Sequence, residues 1–205
     1  MGAPSRHLAG GVITREQWLL NETRIVARLR LDDMSAENAA EKVVSENLFQ
    51  YPTERELKSI SRACNMRIDS LGSERLVRLI AEGLPEAAAQ ANLYAMMCTY
   101  PLVRNFMVGE VGRHYSELNY AYTRTDINAY FTHLAVDYDN IAKLSEKTVA
   151  KLKQVLRRCL VECGMLASAR SEKLIPIFVD PDVREAIEAK GDFDALPAFN
   201  CIGGF

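Results

Sequence analysis

Apolar positions along this chain recur mostly at three- and four-residue intervals, the period of an α-helix with one buried face. The clearest case begins at Ser145. Val149, Leu152, Val155, Leu156, Cys159, Leu160 and Cys163 fall in one stripe at about 100° per residue. Ser145 can cap the first amides, and Gly164 suits the left-handed backbone that ends a helix. Lys147, Lys151 and Arg158 lie within about 40° of one another on the other side. A polar segment, Ala167 to Lys173, and a β-rich run, Leu174 to Val179, follow. A helix with a basic outer face followed by a short hairpin is the sequence pattern of a winged helix-turn-helix.

The same periodicity divides the rest of the chain. Thr14, with Gln17 three residues on, matches a capping box and predicts a helix to about Leu31 that buries Trp18, Leu19, Ile25, Val26 and Leu29. Ser35 caps a second helix to roughly Asn47. Tyr51-Pro52-Thr53-Glu54 opens a third, with Leu57, Ile60, Cys64 and Ile68 inward and Lys58, Arg62 and Arg67 outward. Glu74 to Glu82 forms a short fourth helix, closed by Gly83. Pro85 opens an alanine-rich fifth, whose small residues suit a central position, and Pro101 ends it. A sixth runs from Leu102 to about Leu118, with Phe106, Met107, Val111 and Tyr115 inside. A seventh, capped by Thr123 or Thr125, carries Ile127, Tyr130, Phe131 and Leu134. Asp180-Pro181 starts the last, Val183 to Lys190, before Gly191.

The expected fold class is therefore mainly α: a multi-helix bundle with helix-turn-helix character and at most one small, wing-like β-hairpin near the C-terminus. The expected organisation is a flexible arm over 1–12 and an N-terminal helical bundle over 13–118. A C-terminal winged-helix-like part follows over 119–191, separate or packed as one domain with the first. Residues 192–205, with Phe193, Leu196, Phe199 and Phe205, would form an extended strap.

Composition limits the function. The 205 residues are 48% hydrophobic and 25% charged, ordinary for a folded protein. A net charge of -2 and a pI near 6.0 mean that any nucleic-acid surface must be a local patch. Three groups of cations are candidates: Lys147, Lys151 and Arg158 on the basic helix; Arg170 and Lys173, where a wing would meet phosphates; and Arg24, Arg28, Arg62 and Arg67, if the first and third helices adjoin. Clustering matters because release of condensed counterions supplies most sequence-independent affinity, and groove-facing arginine or lysine can read guanine edges. Each of these residues also suits a merely solvated helix face.

Other chemistry is sparse. Cys64, Cys98, Cys159, Cys163 and Cys201 form no CxxC pair, and no secretory leader precedes them, which suits a reducing cytosol. Cys159 and Cys163 read as members of the buried stripe. The longest uncharged run, Ala87 to Val103, contains Gln90, Asn92, Thr99 and Pro101 and reads as a buried helix and turn rather than a membrane span. The expected protein is soluble and cytoplasmic. There is no GxxxxGK[ST], HExxH, GxSxG or GxGxxG. His7, His114 and His133 are far apart, and the spacing of Asp126, Asp137 and Asp139 matches no calcium loop. The sequence thus gives no catalytic residue, no metal site and no cofactor, and the expectation is a protein that is not an enzyme.

The stretches GGVITREQWLLNETRIVARL, YAYTRTDINAYF and LVECGMLASARSEKLIP resemble the BrxA family of bacterial BREX (bacteriophage exclusion) phage-defence systems, over roughly Val12 to Phe199. The resemblance implies a small, non-enzymatic, all-helical protein with some likeness to the antitermination factor NusB. It also implies binding to double-stranded DNA and action beside the system's methyltransferase, ATPase and phosphatase-like proteins. Two readings stand at this point: a DNA-binding component, or a scaffold that contacts the other proteins without touching nucleic acid. RNA binding follows only from the NusB likeness.

Overall fold

Capping side chains mark the starts of six helices. The computed structural model describes residues 7–201. Its helices in chain order are α1 (Leu20–Leu31), α2 (Ala36–Ser45), α3 (Glu54–Leu71), α4 (Glu74–Glu82), α5 (Pro85–Thr99), α6 (Pro101–Arg104), α7 (Gly112–Ser116), α8 (Arg124–Asp137), α9 (Asp139–Ala142), α10 (Glu146–Glu162) and α11 (Pro181–Ala189). Ser35, Thr53, Ser73, Thr123, Ser145 and Asp180 each accept a backbone N–H at the start of the helix that follows, which offsets the unmade bonds of a helix N-terminus. The mainly α expectation holds.

The chain forms two compact units. One comprises residues 18–99 and 179–193, the other residues 1–17, 100–178 and 194–205. In the first, α1 lies against α3 and α4, α5 packs on α3 and α4, α2 covers part of α3, and α11 rests on α4 and α5. Every residue of α5 from Ala87 to Met97 is buried, so the alanine-rich helix is central as its composition implied. Gly83 must lack a side chain, since a Cβ there would collide with the Leu79 carbonyl.

In the other unit, α6 continues through a π-helical stretch, Asn105–Val111, into α7. The wider turn keeps Phe106, Met107 and Val111 all buried. Tyr130 of α8 stacks edge-on against Phe106 at 5.3 Å and donates its hydroxyl to Asn105 Oδ1 at 2.8 Å. Leu8 is tied to Asn140 by reciprocal hydrogen bonds of 2.9 Å, so the described part of the N-terminal segment is anchored. Residues 1–6 of the expected arm lie outside the described residues.

Three local expectations are corrected. First, α1 starts at Leu20 rather than Thr14. The Thr14 hydroxyl donates to the Gly11 carbonyl at 3.1 Å within a 3-10 turn, Gly11–Thr14. The Trp18 carbonyl is taken by Arg67 Nη1 at 2.7 Å and Asn92 Nδ2 at 3.0 Å, so it is not available to a helical amide.

Second, no hairpin forms. Among the described residues, β-pairing is limited to one isolated antiparallel bridge, Ala121 with Lys173. Beyond it, Ile175 donates its N–H to the Met165 carbonyl and accepts the Tyr115 hydroxyl on its own carbonyl, while Pro176 has no N–H to offer a ladder. Third, the tail is not extended: Phe193–Phe199 is a 3-10 helix with Leu196 and Phe199 buried. Gly112 lets it approach, because a Cβ there would lie 3.3 Å from Pro197. Phe205 lies outside the described residues. Among the described residues, no helix is long and apolar enough to cross a membrane.

Candidate nucleic-acid interface

The Ser145 cap and the apolar stripe of α10 turn Lys147, Lys151 and Arg158 away from the core. Lys147 and Arg158 are exposed and Lys151 is half-buried. Lys151 Nζ donates to Gln154 Oε1 at 3.3 Å. Arg158 Nε pairs with Glu162 one turn on, at 3.1 Å, an exposed pair worth at most about 1 kcal/mol. Lys147 has no ion pair or side-chain hydrogen bond among the described residues.

The 167–173 loop is fastened to α10 from below. Arg157 is 7% exposed, and its guanidinium donates from Nε to the Ala169 carbonyl at 3.2 Å and from Nη2 to the Ser171 carbonyl at 2.5 Å. It also sits 5.9 Å from the centre of the Tyr122 ring. Ser171 Oγ accepts the Ser168 N–H at 2.9 Å, closing the loop on itself. Arg170 and Lys173 project from this loop, exposed and without a side-chain partner among the described residues. The structure therefore fastens the loop that carries Arg170 and Lys173 to α10 through Arg157, although no wing is built.

A further cation enters this region from α8. The Tyr122 N–H donates to the Glu172 carbonyl at 2.9 Å, which places the start of α8 beside Lys173. Arg124, exposed and unpaired among the described residues, lies one turn before Asn128, whose Oδ1 accepts Lys153 Nζ of α10 at 2.7 Å. Sequence reasoning missed Arg124 because it stands inside a linker and cap signal, with no periodic stripe to assign it a face.

The α8 cap is itself held tightly. Burial works against the Asp126 carboxylate, but hydrogen bonds from the Thr123 hydroxyl (2.7 Å) and N–H keep its pKa below the ordinary value, with His114 adding to this. Burial pushes the Tyr122 and Tyr130 hydroxyls and the Cys163 thiol up. All three groups stay neutral at physiological pH.

Charge is unevenly distributed. The unit holding α8 and α10 carries 13 lysines and arginines against 10 acidic residues, a net of +3. The other unit carries 12 against 17, a net of -5.

The second predicted patch is not assembled. Helices α1 and α3 do adjoin, but their arginines serve different ends. Arg24 donates to the Ile80 and Gly83 carbonyls at 2.9 and 2.7 Å, and Arg28 to Ala81 at 3.1 Å. Both thus cap the C-terminal end of α4, where positive charge is favoured. Arg67, expected outward, is fully buried with its guanidinium on the Trp18 carbonyl. Arg62 alone of the four is exposed with no side-chain partner among the described residues. No group of three or more His, Cys, Asp or Glu side chains among the described residues is placed to hold a metal ion.

Comparison with known proteins bears on the whole chain. The BrxA family profile matches residues 11–191. The chain belongs to the BrxA family. It is 34% identical over 155 residues to the BREX protein BrxA of Bacillus cereus (strain H3081.97), covering 74% of this chain and 76% of that one. It is 22% identical over 175 residues to the BREX protein BrxA of Escherichia coli O9:H4 (strain HS), covering 85% and 82%. The fold is also that of an uncharacterized protein from Magnetospirillum magneticum, whose crystal structure superposes with a TM-score of 0.80 at 18% identity, over 93% of this chain and 97% of that one.

Proposed function

We propose that this protein is the BrxA component of a BREX anti-phage defence system and that it binds double-stranded DNA. The surface is the outer face of α10, the 167–173 loop and the start of α8. The observation that carries the reading is the set of cations without acidic partners, Arg124, Lys147, Arg170 and Lys173, on a unit of net +3 within an acidic chain. Exposed cations that have not been neutralised by neighbouring carboxylates are those that displace counterions from phosphate. Buried Arg157 holds the loop against the helix, so the backbone that carries Arg170 and Lys173 is already ordered before DNA arrives and costs little to order on binding. The role is one of binding rather than catalysis, exercised alongside the other proteins of the system.

Replacing Lys147, Lys151 and Arg158 together with glutamate should abolish the mobility shift of a DNA duplex while circular dichroism stays that of the wild type. An unaltered shift in that variant would rule out the α10 face. Competition between duplex DNA and single-stranded RNA separates the DNA reading from an RNA-binding one. Absence of any retardation at low salt, with co-purification of other BREX proteins, would instead identify a scaffold.

A further inference from the structure

The unit that carries no DNA surface in this reading has a feature of its own. Between α2 and α3 runs a groove of about 650 Å³, lined by Ala36, Ala40 and Val44 of α2 and bordered by Glu37 and Glu41 on one side and Lys58 and Arg62 on the other. Ala36, Ala40 and Val44 stand one turn apart on α2 and remain half-exposed. Small side chains at that spacing allow a third helix to approach closely and seat its ridge of side chains in the groove. The α2 wall is ten residues long, about 15 Å or nearly three turns of helix.

The charges along the groove do not satisfy one another. Glu41 and Arg62 have no ion pair among the described residues, and Lys58 pairs backward along its own helix with Glu54 rather than across to α2. The groove therefore presents an apolar floor between one acidic and one basic rim. A second copy of this chain fits poorly through the same face, because two troughs placed together enclose empty space, and unfilled apolar volume is destabilising.

We propose that this groove receives an amphipathic α-helix of a partner protein, with a ridge of large apolar side chains, a basic edge facing Glu37 and Glu41, and an acidic edge facing Lys58 and Arg62. This is helix-in-groove recognition, with apolar anchors supplying affinity and the rims selecting among partners. The inference does not depend on DNA binding.

The test uses three synthetic helical peptides that share one leucine ridge. The first carries lysine along one edge and glutamate along the other, the second lysine on both edges, and the third glutamate on both. Binding to the full chain is followed by NMR chemical-shift or anisotropy titration. The mixed-edge peptide should bind tightest to the wild type. Lys58→Glu with Arg62→Glu should move the preference to the all-lysine peptide, and Glu37→Lys with Glu41→Lys to the all-glutamate one, by about two- to fivefold per reversed contact. Ala40→Phe should fill the groove and weaken all three. Equal affinity for the three peptides, no binding of any, or binding indifferent to Ala40→Phe would overturn the proposal. So would sedimentation showing a wild-type dimer that Ala40→Phe dissociates, since a second copy would then be the occupant.

Discussion

Replacing Arg124, Lys147, Arg170 and Lys173 with alanine removes four cations that the structure leaves unpaired, and it breaks no ion pair among the described residues. All four are exposed, so the folded state should be little affected, by at most about 0.5 kcal/mol per substitution. The effect on DNA binding follows from counterion release. Each phosphate neutralised contributes roughly -0.9 to the slope of log affinity against log salt concentration. Loss of four such contacts flattens that slope by between about 3 and 4. Between about 50 and 200 mM salt, the wild type should then lose on the order of 100-fold more affinity than the variant. Fluorescence anisotropy with a labelled duplex at a series of salt concentrations measures both slopes, and urea midpoints check the fold. Arg55→Ala with Arg62→Ala is the matched control, because those two cations are also exposed and unpaired among the described residues but lie in the unit of net -5. An unchanged slope in the quadruple variant, or equal flattening per cation removed in the control, would refute the reasoning that unpaired charge on the α8–α10 unit is what DNA meets.

Other outcomes follow from single contacts. Arg157→Met should raise amide hydrogen exchange across 168–172 and weaken DNA binding although the residue itself is buried; loop protection equal to wild type would show that the Ala169 and Ser171 bonds do not hold the loop. Arg67→Met should cost about 1.5–3 kcal/mol in urea unfolding, because it removes the charged one of the two donors on the buried Trp18 carbonyl and leaves Asn92 alone there, and Arg67→Lys should recover little of it. Thr123→Val should cost about 0.5–2 kcal/mol at neutral pH. Because the folded pKa of Asp126 is held below the ordinary carboxylate value, the stabilisation linked to it is complete above about pH 4 and is lost as pH falls further. The wild-type advantage over Thr123→Val should shrink over that acid range. A constant gap between the two acid-unfolding curves would contradict this.

What the sequence could reveal follows the range over which each cause acts. The caps at Ser35, Ser145 and Asp180 were readable because the side-chain oxygen and the amides it meets lie within three residues. The start of α1 was not, because the Trp18 carbonyl is claimed by Arg67 and Asn92, distant along the chain. Leu174 to Val179 has the composition of a strand but not its burial. Leu174 is fully buried, Ile175 is 41% exposed and Phe178 is 95% exposed, so no alternating face exists to pair. The π-helical turn after Arg104 shifts the α6–α7 stripe by one residue, and its periodicity alone reads as an uninterrupted helix.

Arginine is the harder residue to place, since its long side chain can end far from the face its Cα occupies. On α3, Arg67 lies about 60° from Cys64 at the centre of the apolar stripe, whereas Lys58 and Arg62 lie about 120° and 160° away. The sequence reading placed Arg67 outward with those two, although its angle lies nearer the stripe, and the buried Trp18 carbonyl decides its direction. Arg157 follows the same logic on α10, since it sits at the edge of the stripe and turns under the loop rather than out to solvent. Net charge misleads for a related reason. The value of -2 sums +3 and -5, and the unit of +3 is gathered from three separate stretches of the chain. Arg124, Lys147, Arg170 and Lys173 all belong to that unit, without forming a contiguous basic tract. A DNA surface on an acidic BrxA protein therefore requires only that the acidic residues be segregated into the unit that does not carry it.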